Sequence, residues 1–288
     1  MLSRPADLDS ASRPTDRAAH FNWCFSTLGC PALTLEQALG LASAWDFGGI
    51  ELRALEGSID LVEVLTRRFG EPAKLAAMMA DRKVKICALD ASMHLRGSSA
   101  KDRAELLALA PWADALGIER VRVFDGGRNE KLLSAEARDD MLNTFDWWQR
   151  ERKRAGLRCD LMIETHWILT NPENCVALAR AASERVGILW DSFHTWAHAE
   201  MSLPETWQRL APHVCHIHLR DGVRDATKPE GARYLLPGEG AYPLSELLQL
   251  VGASDYRGWL SFEWERHWHP ELPALEDALA AGKRIGLW

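Results

Sequence analysis

Eight short runs rich in β-branched and aromatic residues, separated by longer amphipathic stretches in a chain of 288 residues, predict a single α/β domain, a (β/α)8 barrel. Three observations carry this prediction. The two kinds of run alternate from Phe21 to the C-terminus, as parallel βαβ units do. The strand-like runs number eight, the count of a closed barrel, and the length suits one barrel domain. The alternative, an open doubly wound sheet, has fewer strands and a Gly-rich turn after the first, which STLGCPA does not supply.

In chain order, residues 1–20 (MLSRPADLDSASRPTDRAAH) are polar and hold too few apolar side chains to bury, which predicts a flexible leader ahead of a domain at 21–288. The predicted strands are FNWCFSTLG, GGIELRA, VKICALDAS, IERVRVFDGG, CDLMIETH, VGILWDSFH, VCHIHLRDG and GWLSFEWE. Predicted helices between them include LEQALGLASAW, KDRAELLALAPWADALG, NPENCVALARAASE and LSELLQLVG, several opened by Thr, Asn or Ser as helix starts prefer. FDGG at the fourth strand reads as the turn into the next helix. LPGEG after the seventh reads either as a tight turn or as a loop over a site.

The 41 acidic against 34 basic residues give a net charge of −7, which repels a phosphate backbone and argues against a nucleic-acid partner. Six scattered cysteines without a C-x-x-C pair behave as small hydrophobes and favour a reducing compartment. No apolar run approaches the roughly 18 residues of a membrane span, and no signal-peptide h-region is present. The expectation is a soluble, cytoplasmic protein with no membrane partner.

Four predicted strands in the second half end on ionisable residues: LMIETH, GILWDSFH, CHIHLRD and WLSFEWE place Glu164, Asp191, His218 and Glu263 at successive tips. Three carboxylates and one imidazole are hard oxygen donors with one borderline nitrogen, a set suited to one divalent ion, Mn²⁺, Mg²⁺ or Co²⁺, with Zn²⁺ as an alternative. Barrel active sites lie at the C-terminal ends of strands, where these residues fall. Alternation puts His166 on the face of Glu164, as substrate contact or as a partner that orients the carboxylate, and sets His216 one strand period deeper than His218, as a core histidine outside the ligand set. Glu51 and Arg53 alternate at the second strand and form either an ion pair or, through Glu51, a substrate contact.

Thirteen tryptophans include Trp23, Trp167, Trp196, Trp264 and Trp268 near strand tips, where indole faces suit the apolar faces of sugars; Trp23 and Trp167 are the chosen substrate contacts. Trp147 and Trp148, in a helical stretch, read as core or interface. RDATKPEGAR offers Arg224, Lys228 and Arg233 as a phosphate anchor or a solvated loop. His267 and His269 in ERHWHP cap the site or join a subunit contact.

At GIELR, IETH, WDSFHTW, HIHLRDG with LPGEG, and GWLSFEWE, the sequence resembles the xylose isomerase-like TIM-barrel superfamily, in particular its sugar phosphate isomerase/epimerase branch. Ketose 3-epimerases, inosose dehydratases and apurinic endonucleases are relatives of that branch. The similarity runs from about Phe21 to the C-terminus, while the leader and the third-strand tip DASMHL lie outside the pattern. The resemblance implies that Glu164, Asp191, His218 and Glu263 hold one divalent metal, that Glu164 and Glu263 flank the substrate as catalytic proton-transfer groups, and that His194 and Arg224 contact substrate oxygens.

The expected enzyme is a metal-dependent isomerase or epimerase of a sugar or sugar derivative, working by carboxylate-mediated proton transfer through a metal-stabilised enediolate. A lyase acting on an inosose- or dehydroshikimate-like ketone is the alternative, because a β-hydroxyl can leave under the same groups. A nuclease of the apurinic type needs further histidines in a D-x-H arrangement, absent between Asp221 and Glu263. A non-catalytic sugar binder on the same scaffold is the remaining reading. The expected partner is a small sugar- or polyol-derived substrate, and the aromatic-rich helices and rim fit a homo-oligomer.

Overall fold

In the computed structural model, residues 21–128, 130, 132–182, 186–198, 201–228 and 231–288 are described, and the predicted leader lies outside them. The barrel strands are β1 (Asn22–Ser26), β2 (Gly49–Leu52), β3 (Lys85–His94), β4 (Arg120–Phe124), β5 (Asp160–Glu164), β6 (Gly187–Asp191), β7 (Val214–Leu219) and β10 (Trp259–Phe262). They pair in parallel and close in the order β1-β10-β7-β6-β5-β4-β3-β2. Every predicted strand is present in this (β/α)8 barrel.

Alternation along each strand divides the molecule into two interiors. Phe25, Ile50, Val121, Ile163, Trp190, Ile217 and Phe262 join the apolar layer between barrel and helices, where each fully buried large side chain contributes about 1.5–3 kcal/mol. Their neighbours in sequence are a different population. Glu51, Arg122, Glu164, Asp191, His216, His218 and Glu263 are buried and charged or polar, where barrels are usually filled by branched apolar residues.

The helices start where their caps predict. Thr34 and Gln37 close a capping box on α1 (Leu35–Ala44), and Ser99 and Asp102 another on α4 (Ala100–Ala115). Asn171 caps α6 (Pro172–Ala181), with Pro172 in the first turn. Helices α2 (Leu61–Phe69), α3 (Pro72–Met79), α5 (Ala135–Ala155), α8 (Leu203–Leu210), α9 (Leu244–Gly252) and α10 (Leu275–Arg284) complete the layer. No helix among the described residues is long and apolar enough to cross a membrane.

Two local features depart from the sequence reading. The run VGILWDSFH is a strand only to Asp191; from Ser192 it becomes helix α7 (Ser192–His198), so Asp191 and His194 stand at a strand-to-helix junction. After β7 the chain forms an antiparallel hairpin, β8 (Asp221–Arg224) and β9 (Ala232–Leu235), in place of a plain loop. Gly222 is required there, because a Cβ would lie 2.4 Å from the Arg233 carbonyl oxygen. LPGEG is a tight turn on the same hairpin: Asp221 Oδ2 accepts from the Gly238 and Gly240 amides at 2.7 and 3.2 Å, and Glu239 is exposed.

Candidate active site and metal centre

Strand register brings Glu164, Asp191, His218 and Glu263 to the C-terminal end of the barrel. His218 sits level with Asp191 on β6 and with Ser261 on β10, two residues before Glu263. One donor atom from each of the four lies within 4.8 Å of the others, and all four residues are buried. Thr165 links the strands beneath them, its hydroxyl accepting from the Asp191 amide at 2.9 Å.

His218 is oriented by Glu51, which approaches its Nε2 at 2.9 and 3.1 Å. The other nitrogen, Nδ1, faces Glu263 Oε2 at 3.1 Å and Glu164 Oε1 at 3.7 Å. A histidine that donates its far N–H to a carboxylate and presents its near nitrogen to a cluster of oxygens has the arrangement of a metal-ligating imidazole. His218 Nδ1 and Glu164 Oε2 are both buried without an aligned hydrogen bond, Oε2 having the Arg122 guanidinium 3.4 Å away. Orphaned donor atoms and a hard donor set with one nitrogen fit one divalent cation.

The carboxylates are not equivalent. Burial alone would raise Glu164, but the Arg122 guanidinium, with His218 and His166, outweighs it and holds the group well below the usual range. Glu263 is lowered in the same way, burial being overcome by His218 and Arg220. Asp191 is pushed up to about 7, because burial and the neighbouring Glu263 and Glu164 outweigh Arg220. Glu265 is pushed up to about 8 by burial and by Glu263 and Asp191, again against Arg220.

Arg220 and Arg122 were missed in the sequence reading. Arg220, fully buried, donates to Glu263 Oε2 and Asp191 Oδ2, each at 2.6 Å, and lies 2.8 Å from Glu265. It also approaches His194 Nε2 at 3.0 Å, so that nitrogen accepts. Burial and Arg220 accordingly hold His194 well below its ordinary pKa, as a neutral ring. Arg122 bridges Asp90 and Glu164 at 3.2 and 3.4 Å. The sequence signal for Arg220 was the alternation itself: in HIHLRD, positions 216, 218 and 220 share a face.

Next to the four donors, where His166 and His194 adjoin Glu164 and Asp191, opens a cavity of about 340 Å³, at the small end of the ~300–1,000 Å³ range of small-molecule sites. Of the expected substrate contacts, His166, Trp167 and His194 line it, together with His94, Arg53 and Glu265. His166 packs edge-on against His194, with centroids 4.8 Å apart. Burial and Arg122 bring its pKa down to about 4, against the opposing pull of Glu164. Asp125 fixes the adjoining loop, its Oδ2 accepting from the His166, Trp167 and Leu169 amides at 3.3, 2.8 and 2.8 Å.

Three expected contacts are placed elsewhere, each for a physical reason. Trp23 lies at the N-terminal start of β1, packed with Phe47 and Trp288 at 6.3 and 5.4 Å, because its position in the strand alternation faces the outer core. Glu51 is fully buried among histidines beneath the cavity, and its expected ion pair with Arg53 is replaced by contacts to His216 and His218. Arg224 is turned outward by the hairpin, donates to the Trp196 carbonyl and stacks on the Trp196 ring at 4.4 Å.

The remaining singled-out residues divide by burial. Lys228 and Arg233 are exposed, Trp264 is core, and Trp268, 47 % exposed, stands at the cavity rim beside His269. Trp148 is core and donates to Asp160, and Trp147 is partly buried against it. All six cysteines are free thiols.

Comparison with solved structures returns the same architecture. The chain is similar to IolI protein with a bound zinc atom (TM-score 0.70, 20 % identity, 92 % of this chain and 96 % of that one). It is also similar to the probable 3-DHS dehydratase AsbF of petrobactin synthesis from Bacillus anthracis (TM-score 0.70, 18 % identity, 92 % and 98 %). A third match is D-psicose 3-epimerase in the presence of D-fructose (TM-score 0.67, 13 % identity, 93 % and 100 %). No curated protein matches in sequence. The profile of the xylose isomerase-like TIM barrel family matches residues 39–285, and together with the closed eight-stranded barrel it shows that this chain belongs to that family.

Proposed function

We propose that the protein is a divalent-metal-dependent isomerase or epimerase of a small sugar or sugar derivative, working in the cytoplasm. The observation that carries this reading is the buried Glu164, Asp191, His218 and Glu263 cluster, with its unpartnered His218 nitrogen, next to His166, His194 and Glu265 of the cavity lining. When bound there, a divalent ion supplies positive charge for the oxyanion that develops as a C–H next to a carbonyl loses its proton. Glu164, Asp191, His218 and Glu263 would hold it.

The chain's own groups supply the rest. Glu164 ends β5 and Glu263 directly follows β10, three strands apart around the barrel, so they face a seated substrate from different sides. Both are ionised, so one removes the substrate proton while the other, protonated from water, delivers on the opposite face, and the first returns its proton to water before the next turnover. Neutral His194 and His166 offer hydrogen bonds to hydroxyls without adding charge, and Trp167 presents an apolar face. Arg220 keeps Asp191 and Glu263 fixed against each other's repulsion. A β-hydroxyl on the substrate would turn the same proton abstraction into loss of water, so lyase activity is the second reading; the likeness to a probable dehydratase supports it at the level of fold.

The test is NMR of the Mn²⁺- or Mg²⁺-loaded protein in D₂O with ketoses, inososes and sugar acids, Mg²⁺ being used where line broadening interferes. Deuterium wash-in that EDTA abolishes is expected, with epimer signals for the isomerase and alkene signals for the lyase. Substrate conversion without any solvent exchange, or exchange indifferent to EDTA, would overturn the reading.

A further inference from the structure

A second cluster lies deeper in the barrel, on the side away from the cavity. Cys24 on β1, Glu51 on β2 and His216 on β7 each bring one donor atom within 4.8 Å of the others, and all three residues are buried. Cys24 stands between Trp23 and Phe25, whose rings join the outer core, so alternation turns its thiol inward. Cys87 on β3 lies at the register irregularity that faces Ile50 and Glu51, its thiol donating to the Ile50 carbonyl at 3.2 Å. His216 Nε2 lies 2.7 Å from Glu51 Oε2 but off hydrogen-bonding alignment, and it is a buried nitrogen without an aligned partner.

The position is reachable. A cavity of about 540 Å³, larger than the one next to the carboxylates, opens at the N-terminal end of the barrel, and Cys87, His216 and Cys215 line it. One thiol, one imidazole and one carboxylate form a three-donor set, with the Cys87 thiol on neighbouring β3 within reach as a fourth, in a place that barrels usually fill with branched apolar side chains. Their softness differs from that of the upper site. Thiolate and imidazole select Zn²⁺ and similar ions in tetrahedral geometry, whereas three carboxylates and one imidazole suit harder ions.

We propose that Cys24, His216 and Glu51, completed by Cys87, form a second metal site selective for zinc-like ions, separate from the carboxylate centre and entered from the opposite end of the barrel. Glu51 joins the two, since its Oε1 meets His218 at 2.9 Å while its Oε2 faces His216. The lower ion would thereby fix the carboxylate that orients an upper ligand. Binding expels the thiol protons, as thiolate ligation requires.

The experiment is a Co²⁺ titration of the full, metal-stripped chain followed by absorption spectroscopy, because only sulfur ligation gives a thiolate-to-cobalt charge-transfer band in the near ultraviolet. Two equivalents and a clear band are expected. Cys24→Ser should lose the band and one equivalent, whereas Glu263→Gln should keep the band and lose the other. If Cys24→Ser does not fold, Cys87→Ser is read in the same way, and the wild-type spectrum needs no variant. In parallel, Zn²⁺ should protect Cys24 and Cys87 from alkylation, read by peptide mapping, with EDTA restoring reactivity. A saturated wild-type protein without the band, or a band that survives both cysteine substitutions, overturns the proposal. Neither reading depends on turnover, so failure of the proposed isomerase activity leaves this test intact.

Discussion

At the residue scale, the same side-chain type does different work according to the charge beside it. Glu263, held ionised by His218 and Arg220, is the group assigned to proton transfer. Glu263→Gln keeps the shape but removes both a proton-transfer group and a metal ligand, so kcat should fall by at least about 10²–10⁴ with an unchanged circular dichroism spectrum; full activity on a confirmed substrate would refute the assignment. Arg220 is the opposite case, a buried cation shared by Asp191, Glu263 and Glu265. Arg220→Met should destabilise the metal-free protein by about 3–5 kcal/mol, since it strands buried carboxylates, and Mn²⁺ should recover part of that loss in denaturant titrations.

His166 gives a pH-dependent counterpart. Its folded pKa, about 4, lies below the 6.5 of the free group. The stability it contributes is therefore present above pH 6.5 and is lost as pH falls from there toward 4, where the unfolded chain binds a proton that the folded one refuses. His166→Gln should gain on the wild type by on the order of 2 kcal/mol across that window in urea titrations. A difference that does not change with pH would show that the ring is not held neutral.

At the element scale, the loops and turns beyond the strands hold the strand tips in position. Asp125, just past β4, carries three backbone amides of the loop after β5 on one oxygen. Asp125→Ala leaves those donors without their acceptor. It should cost about 1–3 kcal/mol and speed amide exchange at Trp167 and Leu169 in hydrogen–deuterium measurements, while the barrel strands stay protected. The hairpin β8–β9 plays a similar part for β7: Asp221 closes its turn and Arg220 immediately before it reaches the carboxylates. That hairpin escaped the sequence reading because RDATKPEGAR holds the turn residues of a loop and little β-branched content, and its pairing is fixed by packing of Phe193 against Tyr234 at 5.6 Å.

At the scale of the whole molecule, closure of the barrel concentrates four carboxyl groups, Glu164, Asp191, Glu263 and Glu265, around Arg220 and His218. A ligand that binds only the folded state stabilises it by mass action, about 2.7 kcal/mol at a hundred times its dissociation constant. Saturating Mn²⁺ should therefore raise the melting temperature, and EDTA should lower it without unfolding the protein at room temperature. Asp191→Asn should abolish most of the shift in differential scanning calorimetry; an unchanged shift would place the ion elsewhere.

The sequence by itself determined the eight barrel strands, several helix starts and the four residues at the strand tips, because period-two alternation, caps and turn residues are local properties of the chain. It also set His166, Trp167 and His194 beside the strand tips, where they line the cavity, since each lies within three residues of a tip. Tertiary structure decided the partners. Glu51 meets His218 across 167 residues of chain, and Arg122 and Arg220 are interior counter-ions. Trp23, equally close to a strand in sequence, stands at the opposite end of the barrel. Such pairings arise only when the eight strands close, because closure sets which inward faces share a level, and no local period encodes that register.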